Sequence, residues 1–353
     1  MNNLKKTKIL ILGAGFAGIY TAINLSRRLK KRSDIDISLI DVNRYHLFKP
    51  MLHEVATGSV DPPHIIQPIR TVMRGRRFIF VEGIVQKIDI SKKKVYLCAE
   101  CTYCSKVKEM NLGEFDIPRP CLKPLKRKNL DYDHLVIAVG GQPNFYKIPG
   151  VEEFALPLYS LDDAVKIREH ISSAFEIADH LEDPEIRKRV LTFVVAGAGP
   201  TGIEFITELH DWIFHTLLAT FENIKKEDPH LILVEAGNDI LPFSAKNIRR
   251  DARETLNNMR IEIMTGSPVT ELAKNHVKIA GKSPQTIHTN TLVWAAGVKS
   301  NELLDSLNLE KDRIGRIKVD EYLGVIGHHG VYAVGDCASF QAKNHEFPLP
   351  QTG

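Results

Sequence analysis

An unbroken apolar run, Ile9-Leu10-Ile11-Leu12, gives way to Gly13-Ala14-Gly15-Phe16-Ala17-Gly18, after which the apolar positions take up helical spacing. A short run with no polar alternation suits a strand buried on both faces, as in a parallel sheet. Ile19 to Lys31 then reads as a helix, with Ile23 and Leu25 on its inner side and basic residues at the end where the helix dipole favours them. A second apolar stretch, Ile35 to Ile40, closes on Asp41. Strand, glycine turn, helix and strand are complete within the first 41 residues.

The pattern then changes character. Asn43 to Leu52 has no period and brings aromatic, basic and proline residues together, which predicts a loop over a ligand; His46 within it suits a structural hydrogen bond as well as chemistry. Arg77–Val81, Gly83–Ile90 and Lys92–Leu97 read as three strands of an antiparallel meander. From Cys98 to about Asn129 periodicity is lost, three prolines intervene, and the segment reads as an insertion. His134 to Ala138 is again a buried strand, ending in Val139-Gly140-Gly141. Past a linker at Pro149-Gly150, Ser160-Leu161-Asp162-Asp163 predicts an N-cap and an acidic first turn for a helix to about His180.

The opening pattern now recurs. Arg189 to Ala196 is an apolar strand, Gly197-Ala198-Gly199-Pro200-Thr201-Gly202 follows, and Leu231 to Val234 ends in Glu235 after a longer interval than in the first copy. Pro200 is tolerable because the first turn of a helix has no partner for its N–H. Strand candidates at Arg260–Met264, Val277–Ile279 and Gln285–His288 precede a buried strand, Thr291–Trp294, that runs into Ala295-Ala296-Gly297. Val331 to Val334 leads into Gly335-Asp336-Cys337-Ala338.

Each Gly-x-Gly-x-x-Gly has a physical reading. The first glycine permits a tight turn, the second lets backbone approach a pyrophosphate, and the third lets the helix pack against the strand, while the helix N-terminus faces the phosphates. An acidic residue ending the next strand suits a ribose hydroxyl. Two such units and a late Gly-Asp strand predict an α/β protein with two Rossmann-like dinucleotide-binding domains, the second inserted in the first, with antiparallel β-meanders. The expected boundaries are 1–150 with 291–353 for a flavin and 151–290 for a nicotinamide dinucleotide.

Composition narrows the classes. The 353 residues carry a net charge of +4, with ordinary globular proportions of charged and apolar side chains, and give no nucleic-acid signal. Basic clusters at 27–32, 74–77 and 123–128 suit solvated surface, with contact to anionic lipid as the competing reading. No run approaches the about 18 apolar residues of a membrane span, and the N-terminus does not resemble a signal peptide, so a cytoplasmic chain is expected. Four of the five cysteines, Cys98, Cys101, Cys104 and Cys121, are crowded together. Two consecutive Cys-x-x-Cys spacings and a later fourth thiol are compatible with a structural zinc site. Leu122 after Cys121 is unlike the Cys-Pro of a bacterial iron–sulfur run, and an absence of metal stays open.

Taken together, the two glycine motifs, Tyr45-His46-Leu47-Phe48-Lys49-Pro50, Ala56-Thr57-Gly58, Gln67-Pro68-Ile69-Arg70, 132–138, Ser160 to Ala164, Trp294 to Gly297 and Gly335 to Ala338 resemble those of type II NADH dehydrogenases. These are single-subunit NADH:quinone oxidoreductases of the two-dinucleotide-binding flavoprotein superfamily, which also holds the pyridine nucleotide-disulfide oxidoreductases. The resemblance covers nearly the whole chain. It implies that Gly13, Gly15, Phe16, Ala17, Gly18, Asp41, Val85, Ala138, Gly140 and Asp336 hold FAD, and that Gly197, Gly199, Gly202, Glu235 and Gly297 hold NADH. Lys49 and Pro50 are implied beside the isoalloxazine. Glu204 matches a family carboxylate near both rings, with stabilisation of the helix dipole as its simpler role.

The implied activity is respiratory: hydride passes from NADH to flavin and two electrons pass on to ubiquinone or menaquinone, without proton pumping. By the same resemblance a C-terminal segment that frames the quinone and attaches the enzyme to the inner face of the cell membrane is expected beyond Gly353, and a homodimer is compatible. Two alternatives stand beside this reading. One is an NADH-binding flavoprotein redox sensor with a metal-binding insertion; the other is a sulfide:quinone-type oxidoreductase, which the lack of any cysteine between Cys121 and Cys337 disfavours.

Overall fold

A computed structural model of the chain describes residues 6–98, 129–282, 284–343, 348, 349 and 351. The chain divides into two compact units, the first drawn from Met1–Leu47, Ile66–Gln142 and Lys299–Gly353, the second from Phe48–Ile65 and Pro143–Val298.

The first unit is built on a five-stranded parallel sheet in the order Val331–Ala333, His134–Ile137, Thr7–Leu12, Ile35–Asp41, Ile79–Glu82. Successive side chains of a strand point to opposite faces, and both faces here are covered. Leu10, Leu12, Ile40, Leu135 and Ile137 pack to one side with Val95 and Leu97. Ile9, Ile11, Ile37, Leu39 and Val136 pack to the other against Ile19 and Ala22 of the helix Phe16–Arg28. That double cover explains why the strand sequences show no alternation. The helix ends on Arg27 and Arg28, as its charge pattern predicts, although Ile19 and Ala22 are its buried residues while Ile23 and Leu25 are only partly covered.

Two strands depart from the sequence reading. Ile79–Glu82 joins the parallel sheet beside Ile35–Asp41, and the antiparallel meander is Val85–Asp89, Lys94–Leu97 and Asn129–Asp131. A four-residue strand carries too little periodicity to reveal which partner it takes, whereas the open edge of a buried parallel sheet needs one.

The second unit repeats the plan. Its parallel sheet runs Leu156–Pro157, Thr291–Trp294, Thr192–Ala196, His230–Glu235, Glu262–Thr265. One face packs on the antiparallel strands Val269–Ala273, His276–Ile279 and Gln285–His288 through Val194, Ile232, Leu292, Trp294 and Val277. The other face is covered by the helices Leu161–Asp179 and Pro200–His215, and the rings of Phe175 and Phe193 stack at 6.0 Å between centroids. The short helix Leu52–Ala56 packs against both helices, which places 48–65 in this unit. The unit boundaries therefore differ from those expected from sequence. Thr291–Trp294 is hydrogen-bonded to Thr192–Ala196, and a strand buried along its whole length belongs where it finds neighbours on both sides.

The predicted cap at Ser160 forms in full. Ser160 Oγ accepts from Asp163 N at 3.1 Å and Asp163 Oδ2 accepts from Ser160 N at 2.8 Å, a capping box that fixes the start of the helix.

Candidate dinucleotide-binding sites

In the first unit the C-terminal ends of the sheet strands gather Gly13, Asp41, Ala138 and Gly335 along one edge. Gly13 has φ +98°, and a Cβ there would stand 2.3 Å from the Ala138 carbonyl oxygen. At Gly18 a Cβ would fall 1.8 Å from the Gly13 carbonyl oxygen. Both glycines are thus required by the packing of the protein itself. Gly15 is different. Its φ of −65° and ψ of −173° are open to any residue, and a Cβ would meet nothing within 4 Å. Among the described residues no atom demands glycine here, which is the arrangement that the close approach of a ligand to the backbone would call for.

The acidic partner is in place. Asp41 Oδ2 accepts from Ala14 N at 2.5 Å and Oδ1 accepts from Asn43 N at 2.7 Å, so the carboxylate pins the glycine turn. His46 Nδ1 lies 3.0 Å from the Ala14 carbonyl. A carbonyl only accepts, so the proton sits on Nδ1, and the ring stands perpendicular to that of Phe16 with 4.9 Å between centroids. His46 is thereby a strut of the same turn. Gly335, at φ +74°, leaves room for Ala17, whose Cβ lies 3.0 Å from where its own would be, and Asp336 follows in a single turn of 3-10 helix. Gly140 also has positive φ. Val85 is partly buried against the apolar cluster under the sheet. Cys337 is fully buried and its thiol donates to the Ile137 carbonyl at 3.2 Å; burial pushes its pKa up to about 11.

The second unit reproduces this geometry with different side chains. Gly197 has φ +103° and a Cβ there would be 2.7 Å from the Ala295 carbonyl oxygen; at Gly202 it would be 1.9 Å from the Gly197 oxygen. Gly199, at φ −73° and ψ −178°, again meets nothing within 4 Å. Glu235 Oε2 accepts from Ala198 N at 2.7 Å and Oε1 accepts from Gly237 N at 2.6 Å. The duplication reaches the hydrogen bonds, a level at which the repeat is invisible in the sequence. Gly297 has φ +128°, and a Cβ there would stand 2.5 Å from the Tyr146 hydroxyl.

Lys49, Pro50 and Glu204 lie in the second unit. Lys49 begins the short helical turn Lys49–Met51, with Pro50 at its second position, and its ammonium lies 3.5 Å from the centroid of the Tyr159 ring, a cation–π contact that holds the side chain. Glu204 is the fifth residue of Pro200–His215, past the first turn, so the dipole role has little support. Its carboxylate is 3.8 Å from His53 Nδ1, and His53 Nε2 is 3.9 Å from Glu54. Sequence reading missed His53 and Tyr146, neither of which belongs to a recognisable motif.

Cys101, Cys104 and Cys121 of the proposed zinc set lie outside the described residues, and Cys98 is a free, half-exposed thiol. Among the described residues no group of three or more His, Cys, Asp or Glu could hold a metal ion, and no helix is long and apolar enough to cross a membrane.

A paired arrangement of parallel sheets, each with a glycine turn and a strand-end carboxylate, defines a protein with two dinucleotide-binding folds. The chain belongs to the pyridine nucleotide-disulphide oxidoreductase family, whose profile matches residues 7–351. Its relatives include the type II NADH:quinone oxidoreductase Ndh of Mycobacterium tuberculosis, 33% identical over 96% of this chain and 68% of that protein. A mitochondrial external alternative NAD(P)H-ubiquinone oxidoreductase of Arabidopsis thaliana, B2, is 33% identical over 96% of this chain but 55% of its own length. The chain thus spans between about half and two thirds of these relatives. Among solved structures, NDH2 of Plasmodium falciparum in complex with NADH has a TM-score of 0.80 at 26% identity, covering 95% of this chain and 64% of that one. The sulfide:quinone oxidoreductase of Aquifex aeolicus, at 16% identity and a TM-score of 0.71, shares the fold.

Proposed function

We propose that the chain binds FAD in its first unit and NADH in its second and works as an NADH:quinone oxidoreductase. The observation that carries this reading is the duplicated cradle, in which Gly15 and Gly199 leave their backbone bare toward open space at a helix N-terminus. Relatives named for NADH and quinone support the choice of partners.

FAD would supply the redox chemistry, taking a hydride from NADH and delivering two electrons to a quinone, which leaves as the quinol with two protons. The chain's own residues bind and orient. Backbone N–H groups at the start of Phe16–Arg28 and Pro200–His215 face the two pyrophosphates, where the positive ends of the helix dipoles favour negative charge. Glu235 keeps acceptor capacity for a ribose diol beyond its hydrogen bonds from Ala198 N and Gly237 N, and Asp41 holds the matching place at the end of its own strand. At the Glu235 position a 2′-phosphate would meet a carboxylate, so NADH is the favoured donor over NADPH. Asp336 is assigned to the ribityl chain and Lys49 and Pro50 to the neighbourhood of the isoalloxazine, by likeness to the family. Glu204 and His53, 3.8 Å apart, form the pair best suited to handle a proton. Ubiquinone and menaquinone both fit, and the inner membrane face is the place where the quinone would be met.

The test is a flavin spectrum of the purified chain. Absorbance that is bleached by NADH under anaerobic conditions and restored by a soluble quinone is the expected result. A chain that retains no flavin after reconstitution with FAD, or whose flavin NADH does not reduce, would overturn the reading.

A further inference from the structure

Tyr146 is a large aromatic residue that the packing of the second unit leaves exposed. Its backbone and that of Lys147 both have positive φ, +50° and +56°, in a region that side-chain-bearing residues seldom enter. The segment is held there from several sides. Asn144 N donates to the Gly297 carbonyl at 3.1 Å, Trp294 Nε1 donates to the Asn144 carbonyl at 2.9 Å, and Tyr146 N donates to Asn144 Oδ1 at 3.0 Å. Phe145 meanwhile packs toward the Trp294 ring.

This framework does not bury the tyrosine. The residue is 58% exposed, yet its hydroxyl lies so close over Gly297 that a methyl group there would collide with it. Gly297 in turn adjoins the glycine turn, since Ala295 and Ala296 crowd Gly197. An exposed aromatic ring, fixed in an uncommon backbone conformation above a glycine, is built to meet something other than the protein.

Resting on the reading that the second unit binds NADH, we propose that Tyr146 closes the cradle from above, its hydroxyl donating a hydrogen bond to the pyrophosphate of the dinucleotide. The chemistry matches. A phosphate oxygen only accepts, and a phenol is a donor as long as it is protonated. Partial burial and the nearby Glu235 carboxylate both push the Tyr146 pKa upward, which keeps the proton in place at neutral pH. Tyr146 is accordingly a positioning residue for the dinucleotide.

Equilibrium binding of NADH and of ADP-ribose to the whole chain, followed by fluorescence and calorimetry, tests this. Loss of one hydrogen bond in Tyr146→Phe should raise both dissociation constants about three-fold, and loss of the ring as well in Tyr146→Ala about ten-fold. KM for NADH should follow, with kcat, flavin content and melting temperature unchanged. ADP-ribose keeps the pyrophosphate and lacks nicotinamide, so an effect confined to NADH would overturn the assignment. Unaltered or tighter binding by both variants would do the same. Failure of the wild-type chain to bind either probe would instead sink the reading of the second unit itself.

Discussion

At Glu235 a single carboxylate does two things. It ties down the turn through Ala198 N and Gly237 N, and in the proposed reading it would also set the charge that an adenosine ribose meets. Replacement by Arg would sacrifice both backbone bonds, so Glu235→Gln separates the effects better: one amide oxygen still accepts, and the negative charge is gone. The ratio of kcat/KM for NADH over NADPH should fall about ten-fold in this variant, as removing one like-charge contact worth about 1.4 kcal/mol implies; an unchanged ratio would place the 2′-position elsewhere. Cys337, beside the Gly-Asp turn, shows the opposite case of a residue whose chemistry is suppressed. With its pKa pushed up to about 11, the thiolate fraction at pH 8 is about one in a thousand, and burial blocks access as well. Mass mapping after iodoacetamide treatment of the native chain at pH 8 should find Cys337 unmodified, with labelling only after denaturation.

Within an element, the three glycines of each motif do different work, and substitution should separate them. Gly18→Ala or Gly202→Ala drives a methyl group into a backbone carbonyl and should destabilise the chain by about 3 kcal/mol, read as a fall in melting temperature. Gly15→Ala and Gly199→Ala meet no atom and require no new backbone conformation, so stability should hold or rise by about 0.5 kcal/mol while flavin retention or NADH affinity respectively is lost. Equal destabilisation by all four would remove the main support for an occupant. The helix Leu161–Asp179 offers a control remote in kind: Ser160→Ala breaks the capping box and should cost about 1 kcal/mol with no change in either binding reaction. The motifs, the cap and the buried strands were legible from sequence because each is a local device whose residues are consecutive. The meander was misread because Ile79–Glu82 and Asn129–Asp131 are short strands, and their partners were settled by which sheet edge was open.

Over the whole molecule, each cradle is assembled from residues of one unit alone: Gly13, Gly15, Gly18 and Asp41 in the first, Gly197, Gly199, Gly202 and Glu235 in the second. NADH should therefore still bind after the flavin is stripped, and saturating NADH at about a hundred-fold excess over Kd should stabilise the stripped chain by about 2.7 kcal/mol in thermal unfolding. Loss of NADH binding along with the flavin would contradict this self-sufficiency. By itself the sequence determined the two glycine turns, their carboxylates, the α/β class and the repeat, because Gly-x-Gly-x-x-Gly after an apolar strand is dictated by steric limits acting over a few residues. Tertiary structure alone decided that Thr291–Trp294 and 48–65 belong with the second unit, that Glu204 meets His53, and that Tyr146 stands over Gly297. Those pairings join residues up to about 150 positions apart, and no local pattern of hydrophobicity or spacing encodes a contact that only sheet order and helix packing bring about.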